Sequence, residues 1–149
     1  MPHRKEEVLM QKRALVKITF PGRWDTSAAG HVSAGESAEE TARREVQEEL
    51  GLTELPEMEF LLIGKCVGSL HGGSFKEYEF EHVYAIFIDD DLLPKLKFNL
   101  QETEVMDVQW MPIEKVREAW KRKDDAFVNV GDPSFFDTLT AFVHKHLKK

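Results

Sequence analysis

Residues 30–52 read GHVSAGESAEETARREVQEELGL, and this stretch decides the interpretation of the whole chain. It predicts a helix that carries Glu45, Glu48 and Glu49 on one face near its C-terminal end. Each like-charge pair among these neighbours costs about 0.2–0.5 kcal/mol, and anions in the last turns also oppose the helix dipole. The pattern places no lysine or arginine on that face. A bound divalent cation is the simplest compensation.

Capping residues mark both ends of this helix. Ser37 is the predicted N-cap, and Glu40 completes a capping box with it. Gly51 stands where a left-handed residue commonly ends a helix. An apolar stripe recurs every four positions and is predicted to be buried, about 100° around the helix from the carboxylates: Ala42, Val46 and Leu50. The acidic cluster is therefore expected to lie on a rigid element.

The stretch resembles the Nudix box, G-x5-E-x7-R-E-U-x-E-E-x-G-U, and matches it at every defined position from Gly30 to Leu52. A bare ExxEE pattern is usually an acidic, solvated helix face, whereas the complete box in register is specific. The resemblance implies an α/β fold, namely a Nudix-type α/β/α sandwich with a mixed sheet. It also implies a hydrolase of phosphoric anhydride bonds that depends on Mg²⁺ or Mn²⁺. Glu36 is expected to have a structural role near the helix N-terminus.

The resemblance further implies a role for individual residues of the box. Glu45 and Glu49 would be the principal metal ligands, and Glu48 would be a further ligand or the general base. The backbone carbonyl of Ala29 would complete the shell of ligands, and Arg44 would orient a neighbouring carboxylate. Mg²⁺ prefers oxygen ligands and keeps several waters, so a few carboxylates and a substrate phosphate suffice.

Carboxylates outside the box are candidates for an auxiliary role. They stand in the segments QETEVMDVQW and EFEHVY: Glu102, Glu104, Glu79 and Glu81. Period-2 alternation places Glu79 and Glu81 on one face of a predicted strand, and a strand end that projects into solvent is the alternative. Glu104 is the first choice for an auxiliary catalytic residue.

The composition is typical of a small enzyme with a single domain, residues 1–149. The net charge of −7 and the pI near 5.4 argue against a nucleic-acid polymer as partner, since that would require a basic face. No apolar stretch approaches the roughly 20 residues of a membrane span, and the N-terminus lacks the apolar core of a signal peptide. A single cysteine, Cys66, cannot form an intramolecular disulfide, so we expect a cytoplasmic protein.

Apolar patterns predict the remaining elements. Strands are predicted at 8–13, 58–67, 79–88 and 104–111, with an extended segment at 24–32 and a turn at 71–74. Helices are predicted from Ile113 to Trp120 and at the C-terminus, where Asp132 and Pro133 would begin the helix. Strands with helices on both faces predict an α/β/α sandwich. Nudix domains usually have a strand before 8–13; either the sequence is truncated or another segment takes that position.

The flanking segments resemble one branch of the Nudix superfamily, the isopentenyl-diphosphate isomerase-like group. They read KRALVKITFPGRWDTSAAGHVSAGE before the helix and LQETEVMDVQWM after it. True isomerases place a catalytic cysteine where Ala29 stands here, and alanine has no proton to exchange. They also degrade the REUxEE part of the box, which this chain keeps. Cys66 lies in an apolar run and is expected to be a small buried hydrophobe rather than a replacement.

The branch resemblance adds three candidate site residues. His31 matches a metal-binding histidine of the isomerases, with a structural histidine as the alternative. Arg13 and Lys17 match basic residues near the isomerase diphosphate site and are predicted substrate ligands, with solvated loop cations as the alternative. The interpretation is a hydrolase of a small-molecule diphosphate. An isopentenyl-diphosphate delta-isomerase-like enzyme and a non-catalytic nucleotide or metabolite sensor stay open, as do the substrate and the oligomeric state.

Overall fold

The computed structural model describes residues 6–26, 35, 37–56, 58–70, 75–128 and 135–147, and for residues 60–70 and 75–83 it describes the backbone. The elements follow in the order β1 (Glu7–Arg13), β2 (Trp24–Thr26), α1 (Ala38–Leu50), β3 (Glu59–Leu70), β4 (Phe75–Ala85), a 3₁₀ turn (Leu93–Lys95), β5 (Val105–Pro112), α2 (Ile113–Lys121) and α3 (Phe135–Leu147). Several residues discussed above lie outside the described ranges: Ala29, Gly30, His31, Glu36, the turn at 71–74, Asp132 and Pro133.

A three-stranded sheet forms the centre of the fold. Its strand order is β2-β1-β5, and both pairings are antiparallel. Met10 of β1 lies opposite Thr26 on one side and Gln109 on the other. A parallel bridge joins Trp24 to Phe127, so the chain returns to the outer strand after α2. The candidate site lies near the C-terminal end of β1 and the N-terminal end of β5.

A long hairpin of β3 and β4 forms the second sheet. The pairing runs from Leu70 opposite Phe75 to Glu59 opposite Ala85. The bounds predicted from the sequence for β4, residues 79–88, were therefore wrong at both ends. The apolar run marks only part of a strand, because main-chain hydrogen bonds to β3 extend the pairing through polar residues and end where β3 begins.

The two faces of the central sheet are covered by different helices. Successive side chains of a strand point to opposite faces, and Leu9 and Met10 show this directly. Leu9 packs in a core cluster with Leu50 of α1, whereas Met10 packs in a second cluster with residues of α2 and α3. A sheet with helices on both faces is an α/β/α sandwich, so the predicted fold class is confirmed.

The helices α2 and α3 close the second core. Ile113 and Val116 are buried as the helical spacing predicted. Trp120 is partly buried and packs perpendicular to the ring of Phe136, with the ring centroids 4.9 Å apart. The apolar face of α3 is buried against them. In the part of the chain that is described, no helix is both long and apolar enough to cross a membrane.

Candidate functional site

The helix that carries the acidic cluster begins and ends as its sequence predicted. The backbone N–H of Glu40 donates to Oγ of Ser37 at 3.1 Å, and the Glu40 carboxylate accepts from the Ser37 N–H at 3.4 Å. Gly51 adopts a left-handed conformation with φ 74°, and its N–H donates to the carbonyl of Gln47. The last turn of α1 carries no basic residue. Both caps are therefore confirmed, and the carboxylates occupy a fixed stretch of helix.

The buried face of α1 differs from the predicted stripe. Leu50 is buried as expected and Val46 packs beside it, but Ala42 is only partly buried, and the other buried residues are Thr41 and Glu49. Glu49 is only 6 % exposed, so one carboxylate of the cluster lies within the packed face rather than beside it. The apolar spacing missed this because it counts only hydrophobic residues, and a buried carboxylate needs partners that lie elsewhere in the sequence.

Gln11 of β1 is one such partner for Glu49. Its side chain, itself buried, donates from Nε2 to Oε2 of Glu49 over 3.4 Å. Sequence reasoning did not single out Gln11, although a glutamine within the apolar strand EVLMQKR was a usable signal. The contact fixes the orientation of the Glu49 carboxylate relative to the central sheet.

Arg44 contacts the other two carboxylates of the cluster. Its Nη1 lies 3.1 Å from Oε1 of Glu45 and 3.2 Å from Oε2 of Glu48. The expectation that no cation reaches this face was wrong, because the arginine side chain is long enough to lie across the helix surface towards a residue one turn later. The three side chains form a connected group in which Glu48 is the most exposed, at 49 %.

Electrostatics make Glu45 an unusual carboxylate. Burial raises the pKa of Glu45 above its ordinary value, Arg44 lowers it, and the negative charges of Glu48 and Glu104 raise it again. Glu104 stands far from Glu45 in sequence, so its effect means that the fold brings a carboxylate from outside the box close to α1. A carboxylate whose pKa is raised by burial and by neighbouring negative charges is a common property of functional sites.

Main-chain hydrogen bonds explain how Glu104 comes to lie there. The N–H of Asn99 donates to the carbonyl of Leu50 at 2.8 Å, and the N–H of Gln101 donates to the carbonyl of Glu49 at 3.0 Å. A Cβ added at Gly51 would lie 2.6 Å from Cβ of Asn99, so this close approach requires glycine. The segment 99–104 is thus attached to the end of α1, where it satisfies carbonyls that have no partner in the helix.

Lys17, a predicted substrate ligand, reaches the same place from the loop between β1 and β2. Its Nζ forms an ion pair with Oε2 of Glu104, the predicted auxiliary carboxylate. The backbone N–H of Ala14 also donates to the carbonyl of Glu104 at 3.0 Å. Around Lys17 the loop presents exposed apolar side chains at Leu15, Val16 and Ile18. The loop therefore contributes one cation to the acidic cluster.

Arg13, the second predicted substrate ligand, contacts the loop rather than the acidic cluster. Its guanidinium donates to the carbonyl and Oγ1 of Thr19, each at 3.0 Å, and lies 3.3 Å from Oδ2 of Asp25. Burial raises the pKa of Asp25, against hydrogen bonds from the Thr26 backbone and the charge of Arg13. Asp25 was not considered at the level of sequence. Arg13 holds the loop that carries Lys17.

The other candidates have no described contact with this group's side chains or lie outside the residues whose side chains the structure describes. Glu102 lines an open cleft of about 440 Å³ together with apolar residues such as Phe98 and Met106. Glu79 and Glu81 lie opposite Cys66 and Gly64 in the hairpin, and β4 contacts α1. Ala29 and His31 lie outside the described residues, so their predicted ligand roles stay predictions.

The donor chemistry of the cluster suits a hard divalent cation, because every candidate side chain offers carboxylate oxygens. Within the described ranges no three histidine, cysteine, aspartate or glutamate side chains are grouped closely enough to hold a metal ion. The carboxylates instead contact Arg44, Gln11 and Lys17. Metal binding would therefore require these contacts to rearrange.

Comparisons with known proteins agree with the fold. The family model for the NUDIX domain matches residues 2–129. The chain is 38% identical over 127 residues to Nudix hydrolase 3 of Arabidopsis thaliana, a match that covers 83% of this chain and 16% of the plant protein. It is 26% identical over 142 residues to an isopentenyl-diphosphate Delta-isomerase of Aliivibrio fischeri, covering 94% of this chain and 75% of that protein. The NUDIX domain of Shewanella oneidensis NrtR, solved with ADP ribose, has a TM-score of 0.57 at 21% identity and covers 78% of this chain and 69% of its own.

Proposed function

The chain belongs to the Nudix domain family, and from this premise we propose that it is a metal-dependent hydrolase of a small-molecule diphosphate. The bond broken would be the phosphoric anhydride bond of a diphosphate linked to another moiety, such as a nucleoside diphosphate derivative, with water attacking phosphorus. Because the chain spans about a sixth of the plant relative's length, the activity of that whole protein is not carried over. The proposal rests on the site itself.

One observation carries the proposal: carboxylates from two separate parts of the chain converge next to two cations. Glu45 and Glu48 of α1 share Arg44, and Glu104 of the 99–104 segment pairs with Lys17 while its charge acts on Glu45. Once these contacts rearrange, such a group would hold a divalent cation on its carboxylates and a phosphate on its cations. Diphosphate hydrolysis needs both, together with a positioned water.

The residues of α1 would divide the work as follows. Glu45 and Glu49 would hold Mg²⁺ or Mn²⁺, with the Ala29 carbonyl and Glu48 as further ligands, and divalent metals are general in the family. When bound, the metal neutralises phosphate oxygens and lowers the pKa of a water. Glu48, the most exposed of the three, would accept a proton from the attacking water as general base. Arg44 would keep Glu45 and Glu48 correctly oriented.

Residues outside α1 would bind the substrate and assist. Lys17 would bind a phosphate oxygen by a charge-assisted hydrogen bond. Arg13 supports this through its contacts to Thr19, which order the loop that carries Lys17, and a direct contact of Arg13 with substrate stays a prediction. Glu104 would be the auxiliary carboxylate. The single cysteine supports a cytoplasmic, reducing environment.

Isomerisation of isopentenyl diphosphate is the second candidate, because an isomerase matches 94% of this chain. Alanine at position 29 argues against it, since a catalytic proton carrier is absent at that position. Assaying isopentenyl diphosphate by NMR distinguishes the two functions: dimethylallyl diphosphate formed at catalytic rates would reverse the ranking. A non-catalytic sensor would bind a diphosphate tightly and release no phosphate.

A screen for phosphate release tests the proposal most directly. Diphosphate compounds that carry nucleoside, sugar or prenyl groups would be incubated with Mg²⁺ or Mn²⁺, with and without added phosphatase. We expect turnover of at least one compound that stops when a chelator removes the metal and resumes when metal is restored. Turnover that persists undiminished after chelation would contradict metal dependence, and no turnover across the panel would favour the sensor.

A further inference from the structure

The loop that carries Lys17 is joined to Glu104 twice, through the main chain of Ala14 and through the Lys17 side chain. The backbone link is the 3.0 Å hydrogen bond from Ala14 to the Glu104 carbonyl, and the N–H of Lys17 bonds back to Ala14 at 3.1 Å. The side-chain link is the ion pair between Nζ and Oε2. Arg13 also holds the far side of the loop through Thr19. Lys17 is therefore kept beside Glu104 by the fold and does not meet it by chance as a solvated lysine would.

The Glu104 carboxylate is also part of the acidic cluster, since its charge acts on Glu45. An ammonium group and a divalent cation are two ways to compensate the same negative charge. They repel each other, so a cation that takes Glu104 as a ligand favours the departure of Lys17. Both side chains of the pair are partly exposed, at 26% and 34%, which leaves Lys17 room to turn towards solvent or a ligand.

We propose that Lys17 acts as an internal cation that holds Glu104 while the metal is absent and transfers to a substrate phosphate when the metal binds. The inference rests on the proposed function, because it takes Glu104 as part of the metal-binding cluster. It adds that metal and diphosphate bind cooperatively, with Lys17 as the residue that couples them. Each ligand stabilises the arrangement that the other requires.

This coupling gives Lys17 opposite effects on the two ligands. Without Lys17, the metal has no competitor for Glu104, so Mn²⁺ alone should bind about fivefold more tightly, the factor that corresponds to a partly exposed ion pair of about 1 kcal/mol. The diphosphate loses a charge-assisted hydrogen bond and should bind at least about tenfold more weakly at saturating Mn²⁺. A residue that only maintained the loop would weaken both ligands when removed.

The experiment compares the wild type with Lys17→Met by calorimetry and by the EPR signal of free Mn²⁺. Mn²⁺ is titrated first alone, and methylenediphosphonate, which cannot be hydrolysed, is then titrated at saturating Mn²⁺. Lys121→Met is the control, because it removes the same charge from an exposed position on α2, 3.9 Å from Glu118. We expect tighter Mn²⁺ and weaker methylenediphosphonate binding for Lys17→Met, and no change in either for Lys121→Met.

A second background separates displacement from simple charge repulsion. In Glu104→Gln there is no carboxylate for Lys17 to hold, so adding Lys17→Met should produce no further gain in Mn²⁺ affinity. An equal gain in both backgrounds, or an unchanged or weaker Mn²⁺ affinity in Lys17→Met, would overturn this inference and leave the proposed function intact. Absence of specific Mn²⁺ uptake by the wild type and by every variant would overturn the proposed function itself.

Discussion

Two glutamates of this chain have pKa values shifted in opposite directions by opposite surroundings. The pKa of Glu45 on α1 is raised, mainly by burial and also by the negative charges of Glu48 and Glu104, whereas the positive charge of Arg44 lowers it. The pKa of Glu59 at the start of β3 is lowered, mainly by a hydrogen bond from Lys145 and also by one from His146. The contacts of Glu59 with these two side chains of α3 are 3.0 Å and 2.9 Å long.

The difference separates a carboxylate with a structural role from the carboxylates that we propose bind a metal ion. Glu59 is a single anion between two basic groups, and it attaches the end of α3 to the hairpin. On α1 the anions outnumber the nearby cations, and the helix ends without a basic residue in its last turn. On the proposed function, the unfavourable charge on α1 would be compensated further when a divalent cation binds, so instability in the free protein would become affinity in the complex.

The largest expected effect comes from replacing a carboxylate of the acidic cluster on α1. Glu48→Gln should lower kcat by about 10²–10⁴-fold, because the proposed general base loses its ability to accept a proton. The measurement is steady-state turnover with Mg²⁺ on a substrate from the phosphate-release screen. Glu39→Gln is the matched control, since Glu39 lies in the first turn of the same helix and pairs with Arg43. Near-full activity of Glu48→Gln with an unchanged melting temperature would remove Glu48 from the mechanism.

The next effect concerns how the acidic region is assembled. Gly51→Ala should lower the free energy of unfolding by about 2–4 kcal/mol, because it combines a left-handed backbone with a clash against Asn99. Gly35→Ala is the control: φ is +84°, but no described atom lies within 4 Å of the added Cβ, so the backbone cost alone, about 1–2 kcal/mol, is expected. Equal losses in urea unfolding would mean that the approach of Asn99 can relax.

A smaller effect tests whether repulsion among the carboxylates of α1 destabilises the metal-free protein. Glu45→Gln should raise the stability of the protein in EDTA at neutral pH by about 0.2–0.5 kcal/mol, because it removes repulsion from neighbouring carboxylates. The same substitution should weaken Mn²⁺ binding. Thermal unfolding of the two proteins side by side provides the measurement. A destabilised Glu45→Gln would mean that the contact with Arg44 outweighs the repulsion.

The smallest expected effect concerns Glu59, the carboxylate that pairs with basic side chains of α3. Glu59→Gln should lower the melting temperature slightly at neutral pH, where the exposed Glu59 carboxylate still accepts from Lys145 and His146. A lowered folded pKa stabilises the protein above the ordinary glutamate value of 4.5, and this contribution is lost as the pH falls through the lowered value. The difference between wild type and variant should therefore disappear in acid. A constant difference at every pH would assign the loss to packing.

Local rules in the sequence predicted much of this molecule. The capping box at Ser37 and the left-handed Gly51 depend on residues within a few positions of each other, and both are found. Strand β1, which precedes the loop that carries Lys17, also lies where its apolar residues predicted it. The fold class followed because the Nudix box and the apolar periodicity point to the same sandwich of helices around a sheet.

The long-range contacts of the site could not be predicted in the same way. Gln11 meets Glu49, and Lys17 meets Glu104, only because β1 lies between β2 and β5 and because 99–104 joins the end of α1. No spacing in the sequence encodes these distances. Arg44 was expected to orient a neighbouring carboxylate, but the helical wheel placed no basic residue on the acidic face. A wheel records where a side chain starts, whereas a long side chain ends on a neighbouring face.

The attachment of Asn99 and Gln101 to the last carbonyls of α1 has an evolutionary consequence. From Asn99 to Glu104 the chain runs between two fixed points, so one inserted or deleted residue would move the Glu104 carboxylate away from the helix. Within the described residues, none of the main-chain hydrogen bonds of the preceding segment, between Ala85 and Leu96, leads to α1. Natural length variation among relatives should therefore accumulate before Asn99 and be purged after it.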